Sequence, residues 1–473
     1  MNMQKFRGQL LVSTLLCVRV LSAAGAEDHA SAVVPESVAA NAANETPALV
    51  YGGEQRVRTE DWNNITDFSN DKDDERRQMR YRTRVWLQYD SKPVEFRVGI
   101  VDEFYKKYAL KQSDVVLDRL NLDEVVFESL SLSLKKLLLP GLSIVVGRQD
   151  IQRGEGFLIF DATSGDGSRT AYFNAANISY QRGKSKFEFL GILDPQMDRF
   201  LPIIHGQHKH LTEWDEQALG LYYTNRENKK SDIDGYYFYK KEVKDYRSAN
   251  NPLFQPDRNI STVGARLAQR FAKGYSLTGE FAGQWGSQHA NATADLAAAD
   301  IRAGGGYLYA KKSFDTSTKP YMTVGYWAMS GDDPNSQTMN GFDPIFARWP
   351  KYSELYLYSM VPERGVSYWT NNRMLQLETG LKPIKQLAIR ATFYNQDAFH
   401  PSNKSPTIFA KGTHRGENYQ LRADYLFNEK LRGHILFESY SPGDFYAVRN
   451  MSYFVQAQIV YQFKGSLIFQ QVH

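Results

Sequence analysis

The stretch from Arg80 to Ile100 alternates with a period of two. Tyr81, Thr83, Val85, Leu87 and Tyr89 fall on one face, and Arg80, Arg82, Arg84 and Gln88 on the other. After a short Asp90–Pro93 turn, Val94, Phe96, Val98 and Ile100 resume the apolar face, opposite Glu95 and Arg97. Alternation over roughly ten residues marks a strand with one greasy and one polar face. It is also about the length that crosses a bilayer at a tilt.

The unit recurs along the chain. "VGARLAQRF" turns at Ala272–Gly274 into "LTGEFAGQW", and "MLQLETGL" turns at Lys382–Lys385 into "LAIRATFY". "YQLRADYLF" turns at Asn428–Lys430 into "LRGHILFES". Much longer polar segments separate these hairpins, at Asp194–Trp214, Gly286–Ala299, Gly331–Thr370 and Asn395–Gly416. Tight turns at one end and long loops at the other predict an all-β, transmembrane antiparallel β-barrel with periplasmic turns and extracellular loops. About eighteen segments fit as strands, from 49–61 to 451–463, the most mixed being 142–151, 233–242 and 319–329. Both termini then lie in the periplasm.

Composition excludes a helical membrane protein and suits either a secreted carbohydrate-binding β-protein or a transmembrane barrel, between which the periodicity chooses. No run approaches the roughly eighteen apolar residues of a membrane helix, yet aromatics reach 13% and mean hydropathy is −0.50. Met1–Ala26 reads as a secretory signal, with Lys5 and Arg7, the apolar "LLVSTLLCV" and "AGA" at the cleavage position. Its loss removes Cys17, the one cysteine, so no disulfide or thiol chemistry is expected in the mature chain. It also removes three cations and no acid, taking the formal net charge from +4 to +1 and giving nucleic-acid binding no support. Residues 27–48 read as a periplasmic lead-in, 49–463 as the barrel and 464–473 as a tail or strand extension. The alternating final strand ending in "YQF" resembles the signal by which barrel-assembly machinery recognises its clients.

The stretch "GRQDIQRGEGFLIFDATSGDGSRTAYFNA" contains neither a phosphate-binding loop nor an EF-hand. It resembles the signature of the alginate-export family of outer-membrane porins, as do "YGGEQRVRTEDW" and "SGDDPNSQTMNGFDPIFARWPKYSELYLYSM". The resemblance implies an eighteen-stranded channel passing an acidic polysaccharide through an arginine-rich pore. It also implies pore roles for Arg148 and Arg169.

Passage of a polyuronate needs fixed positive charge in a low-dielectric wall, and arginine pairs with carboxylates bidentately without deprotonating. Alternation places Arg56, Arg58, Arg80, Arg82, Arg84, Arg97, Arg266, Arg390 and Arg422 on the non-lipid face. Arg348 joins them within the long loop, with Asp166 and Glu354 as counter-charges or gating groups. The plainer alternative pairs inward arginines with inward acids such as Glu95, Glu280, Glu378 and Asp424, keeping a wet lumen soluble. Trp86, Trp285 and Trp327 are expected in the interfacial girdles.

His205, His208 and His210 lack the carboxylates or cysteines of a defined metal site. Asp332, Asp333 and Asp343, or Asp161 with Asp166, could offer oxygen ligands to Ca²⁺, but turn formation accounts for them more simply. The expectation is a passive outer-membrane channel for an anionic glycan, without catalytic residues, metal or cofactor. Its surroundings would be outer-membrane lipid and periplasmic export partners. The alternatives are a porin for small carboxylated solutes, or an adhesin or enzyme on a barrel; Ser168 shows no histidine partner for the last.

Overall fold

A computed structural model describes residues 47–64, 68–71, 75–108, 119–135, 139–160, 172–206, 211–212, 214–243, 257–290, 297–347, 352–353, 355, 370–402 and 405–468. In chain order the first strands are β1 (Ala48–Asn63), β2 (Arg76–Asp90), β3 (Val94–Tyr108), β4 (Arg119–Leu122), β5 (Val126–Lys135) and β6 (Leu142–Gln149). Next come β7 (Phe173–Arg182), β8 (Ser185–Asp194), β9 (Glu216–Asn225), β10 (Ser231–Glu242), β11 (Arg258–Arg270) and β12 (Tyr275–Gln288). The last are β13 (Ala299–Ser313), β14 (Tyr321–Met329), β15 (Asn372–Ile384), β16 (Leu387–Asp397), β17 (His414–Asn428), β18 (Leu431–Pro442) and β19 (Ser452–Ile468).

Neighbours in sequence pair antiparallel, and β19 pairs with β1 to close the sheet. Both β4 and β5 run against β3, at Phe104–Lys107 and Val94–Val101, so together they form one stave. The result is a closed antiparallel barrel of eighteen staves. Closure leaves no unpaired strand edge, which the absence of water in a bilayer core requires.

The connections segregate as the alternation predicts. β2 meets β3 across Ser91–Pro93, β7 meets β8 across Gly183–Lys184, and β17 meets β18 across Glu429–Lys430. The connections at the other rim are longer, that between β14 and β15 spanning 330–371. Outward side chains are apolar, as at Leu87, Phe96, Leu221, Phe281 and Val324. Where the outer face carries Gln55 and Thr83, opposite one another in register, they hydrogen-bond to each other at 2.7 Å.

Two sequence expectations change. β19 continues through Lys464 to Ile468, paired residue by residue with Gly52–Ala48, so a strand extension rather than a tail describes those residues. Only Trp285 of the three tryptophans faces outward, at 49% exposure. Trp327 is 7% exposed, stacks on Tyr307 at 4.5 Å and donates to Gln376 Oε1 at 2.8 Å. Trp86 shares the inward parity of Arg82 and Arg84 and lies under Arg97. Strand parity places these rings, and proximity to a strand end does not. Signal residues 1–26, and nearly all of the lead-in, lie outside the described residues.

Candidate functional site: the lumen wall and the loops that enter it

Register on β1–β3 lines up a buried lattice of arginine and glutamate. Arg56 faces Arg82, and Arg58 faces Arg80, directly across the β1–β2 ladder. Like charges so placed repel, and carboxylates set between them offset the repulsion. Glu103 accepts from Arg56 at 3.3 Å and Arg80 at 3.1 Å, while Glu60 accepts from Arg58 at 3.3 Å and Arg80 at 3.5 Å. Glu54 takes Arg82 at 2.5 Å, and Glu128 takes Arg84 through Nε at 2.7 Å. The ladder between β3 and β5 shifts register at Gly99/Ile100. Both Glu128 and Ser129 are buried as a result, which strict alternation could not indicate.

The opposite wall holds the loops. From the β6–β7 connection, Ile151 and Phe157–Phe160 are buried, and Phe157 stacks on Phe342 of the β14–β15 connection at 5.3 Å. The two loops also join through backbone, with Phe346 N donating to Leu158 O at 3.0 Å and a parallel bridge at Ile159/Phe346. β10–β12 anchor the assembly. Lys240 donates to Ile345 O at 2.8 Å, Arg258 pairs with Asp343 at 2.6 Å, and Arg266 pairs with Glu155 at 2.7 Å. The described loop segments therefore lie against the inward face, several staves away from where the first of them leaves the wall. The loop-side half of the lumen is packed with aromatic side chains, among them Tyr307, Trp327, Phe157 and Phe342.

Arg148 sits at the loop end of β6. Its guanidinium reaches Asp198 at 2.8 Å, Phe127 O at 2.9 Å and Asn174 Oδ1 at 3.0 Å, and lies 4.7 Å over Phe200. The preceding glycine is required by shape. Gly147 has φ +116°, and a Cβ there would stand 2.2 Å from Leu130 O. Arg169, Arg348, Asp166 and Glu354 fall outside the described residues, as do Ser168, His208 and His210.

The turn-side half of the lumen is different. Arg422 pairs with Asp424 at 2.7 Å. Arg390, opposite it in the β16–β17 ladder, is exposed and makes no hydrogen bond or ion pair with the described residues. Arg97 donates to Gln88 Oε1 at 3.0 Å and stacks 4.6 Å over Trp86, again with no ion pair among the described residues. The acids expected to neutralise arginines mostly serve others. Glu95 pairs with Lys135 at 2.5 Å, Glu280 accepts from Tyr236 and Tyr307 at 2.9 Å each, and Glu378 accepts from Tyr321 at 2.9 Å.

Sequence reasoning missed Lys240 and Arg258 as charged wall groups; Arg153 belongs to the arginine-bearing loop stretch. Arg153 pairs with Glu188 at 2.7 Å. Inward parity also brings Arg432 and Lys464 to the turn-side rim, both exposed. Arg432 already lies within the alternating "LRGHILFES", and Lys464 is one residue beyond the predicted 451–463 strand. Asp332 Oδ1 accepts Gly341 N at 2.7 Å, and Asp333 Oδ1 accepts Asn335 N at 2.9 Å, the work of turn-forming aspartates. Among the described residues no group of three or more histidine, cysteine or acidic side chains is placed to hold a metal ion.

A closed barrel with an apolar outer face and a charged, loop-entered lumen defines an outer-membrane channel. The sequence model for the family described as alginate export matches residues 48–458, and the chain belongs to that family. Solved structures with a similar fold include Pseudomonas aeruginosa OprD, with a TM-score of 0.52, 11% identity and coverage of 88% of this chain and 95% of that one. Acinetobacter baumannii OccAB4 is also similar, with a TM-score of 0.54, 12% identity and coverage of 90% and 100%. At these identities the likeness is one of fold. No curated protein sequence matches the chain.

Proposed function

We propose that this channel passes an anionic polysaccharide of the alginate type, a polyuronate, passively and without cofactor or catalysis. One observation carries the reading: the turn-side lumen carries inward cations that no acid pairs among the described residues. Arg390 and Arg97 lack ion pairs among the described residues, and Arg432 and Lys464 stand on the same inward face. Fixed cations in a low-dielectric wall concentrate carboxylates and exclude small cations. Family membership supports the substrate class. On this reading the Met1–Ala26 signal directs export, and β19 presents the chain to the barrel-assembly machinery. Periplasmic export partners would deliver the glycan.

A second reading, a channel for small carboxylated solutes, draws on the packed loops of the other half, which narrow the path. Single-channel recording separates the two. The glycan reading expects anion selectivity and block by added polyuronate. Anion selectivity with block by short uronates alone favours the small-solute channel, and cation selectivity overturns both. Turnover of an ester or peptide substrate by the pure protein would overturn the non-catalytic part.

A further inference from the structure

The loop tip that reaches the β10–β13 wall carries its own carboxylate. Glu155 places Oε1 2.7 Å from Arg266 Nη2, while Asp234 sits 3.3 Å from Nη1. Asp234 is shared, pairing also with Arg226 at 2.7 Å, so it does not by itself neutralise Arg266. Around this guanidinium the wall has polar capacity to spare. Arg266 Nε and Tyr222 Oη are buried and make no hydrogen bond among the described residues. The chain also approaches as closely as backbone allows. Gly154 adopts φ +56°, and a Cβ there would lie 3.1 Å from Arg266 Cδ and 3.2 Å from Glu280 Oε2.

Not all loop acids are held alike. Asp343 on Arg258 is 2% exposed and fixed from several sides, whereas Glu155 on Arg266 is 36% exposed. Asp343 is enclosed, whereas Glu155, which also lies beside Tyr307 and Tyr309, keeps part of its side chain accessible.

We propose that Arg266 is a carboxylate-binding subsite of the lumen, and that Glu155 occupies it as an internal stand-in which a cargo carboxylate displaces. The proposal rests on the reading that the lumen passes carboxylates. Displacement frees the Gly154–Glu155 turn from the wall while Phe157 keeps its stack on Phe342, so the path widens locally and the loop assembly stays in place. Arg266 passes from one carboxylate to another, its charge never left bare in the wall.

The test uses the full chain in planar bilayers at constant ionic strength, with glucuronate as the carboxylate probe and glucose as the neutral control. Glucuronate is expected to raise wild-type occupancy of the higher-conductance state saturably, by twofold or more, and glucose to leave it unchanged. Glu155→Gln should show the raised occupancy without probe and no further response. Arg266→Gln should also lose the response. Glu155 is a partly exposed loop residue, so its variant remains informative even if Arg266→Gln fails to fold. A Glu155→Gln channel with wild-type occupancy and an intact glucuronate response overturns the subsite. Polyuronate block on the same channels separates the two ideas. Block with no effect of Glu155→Gln removes the subsite alone. A Glu155→Gln effect without block removes the glycan reading alone.

Discussion

Arg56 and Arg82 face each other across the β1–β2 ladder, both inward and both nearly buried, and a different carboxylate compensates each. Arg82 is held by Glu54, and Arg56 by Glu103, which it shares with Arg80. Removing one carboxylate from such a lattice leaves buried charge uncompensated, at a cost of about 3–5 kcal/mol. Glu103→Gln is therefore expected to lower the temperature at which the barrel loses its heat-modifiable mobility in detergent. An unchanged transition would mean that water, not Glu103, solvates these arginines.

Arg390 offers the opposite case. It is exposed and unpaired among the described residues, so Arg390→Glu should leave the thermal transition unchanged. Its effect should appear in transport, as a roughly twofold or greater fall in the anion-to-cation permeability ratio from reversal potentials. A stable variant with wild-type selectivity would remove Arg390 from the conducting path.

Gly147→Ala should impair assembly. The positive φ costs an alanine about 1–3 kcal/mol, and the new Cβ would collide with Leu130 O. Refolding yield into detergent micelles is expected to fall well below that of Val146→Ala, an outward change at an exposed neighbour. Equal yields would show that the strand can shift to accommodate a side chain.

The tryptophans permit a test of wall orientation. In single-tryptophan variants, Trp285 emission should be quenched by brominated lipid, while Trp86 and Trp327 should be indifferent to it. Lipid quenching of Trp86 would reverse the inward assignment of its whole strand face, Arg82 and Arg84 included.

Much of this protein was legible in its sequence, because a bilayer enforces a period of two on every strand that crosses it. The strand segments, the segregation of short turns from long loops and the inward parity of Arg56, Arg82, Arg266, Arg390 and Arg422 all follow from that constraint. Alternation says which face a side chain takes, but not what meets it there. Only the closed barrel sets Arg266 against a loop glutamate more than a hundred residues away and leaves Arg390 without an ion pair among the described residues. Only the register shift at Gly99 brings Glu128 to Arg84. Partnering across a lumen depends on the curvature of the wall and the path of the loops, and these are decided by contacts remote in sequence. A one-dimensional pattern encodes the faces, and the tertiary structure assigns the charges that share them.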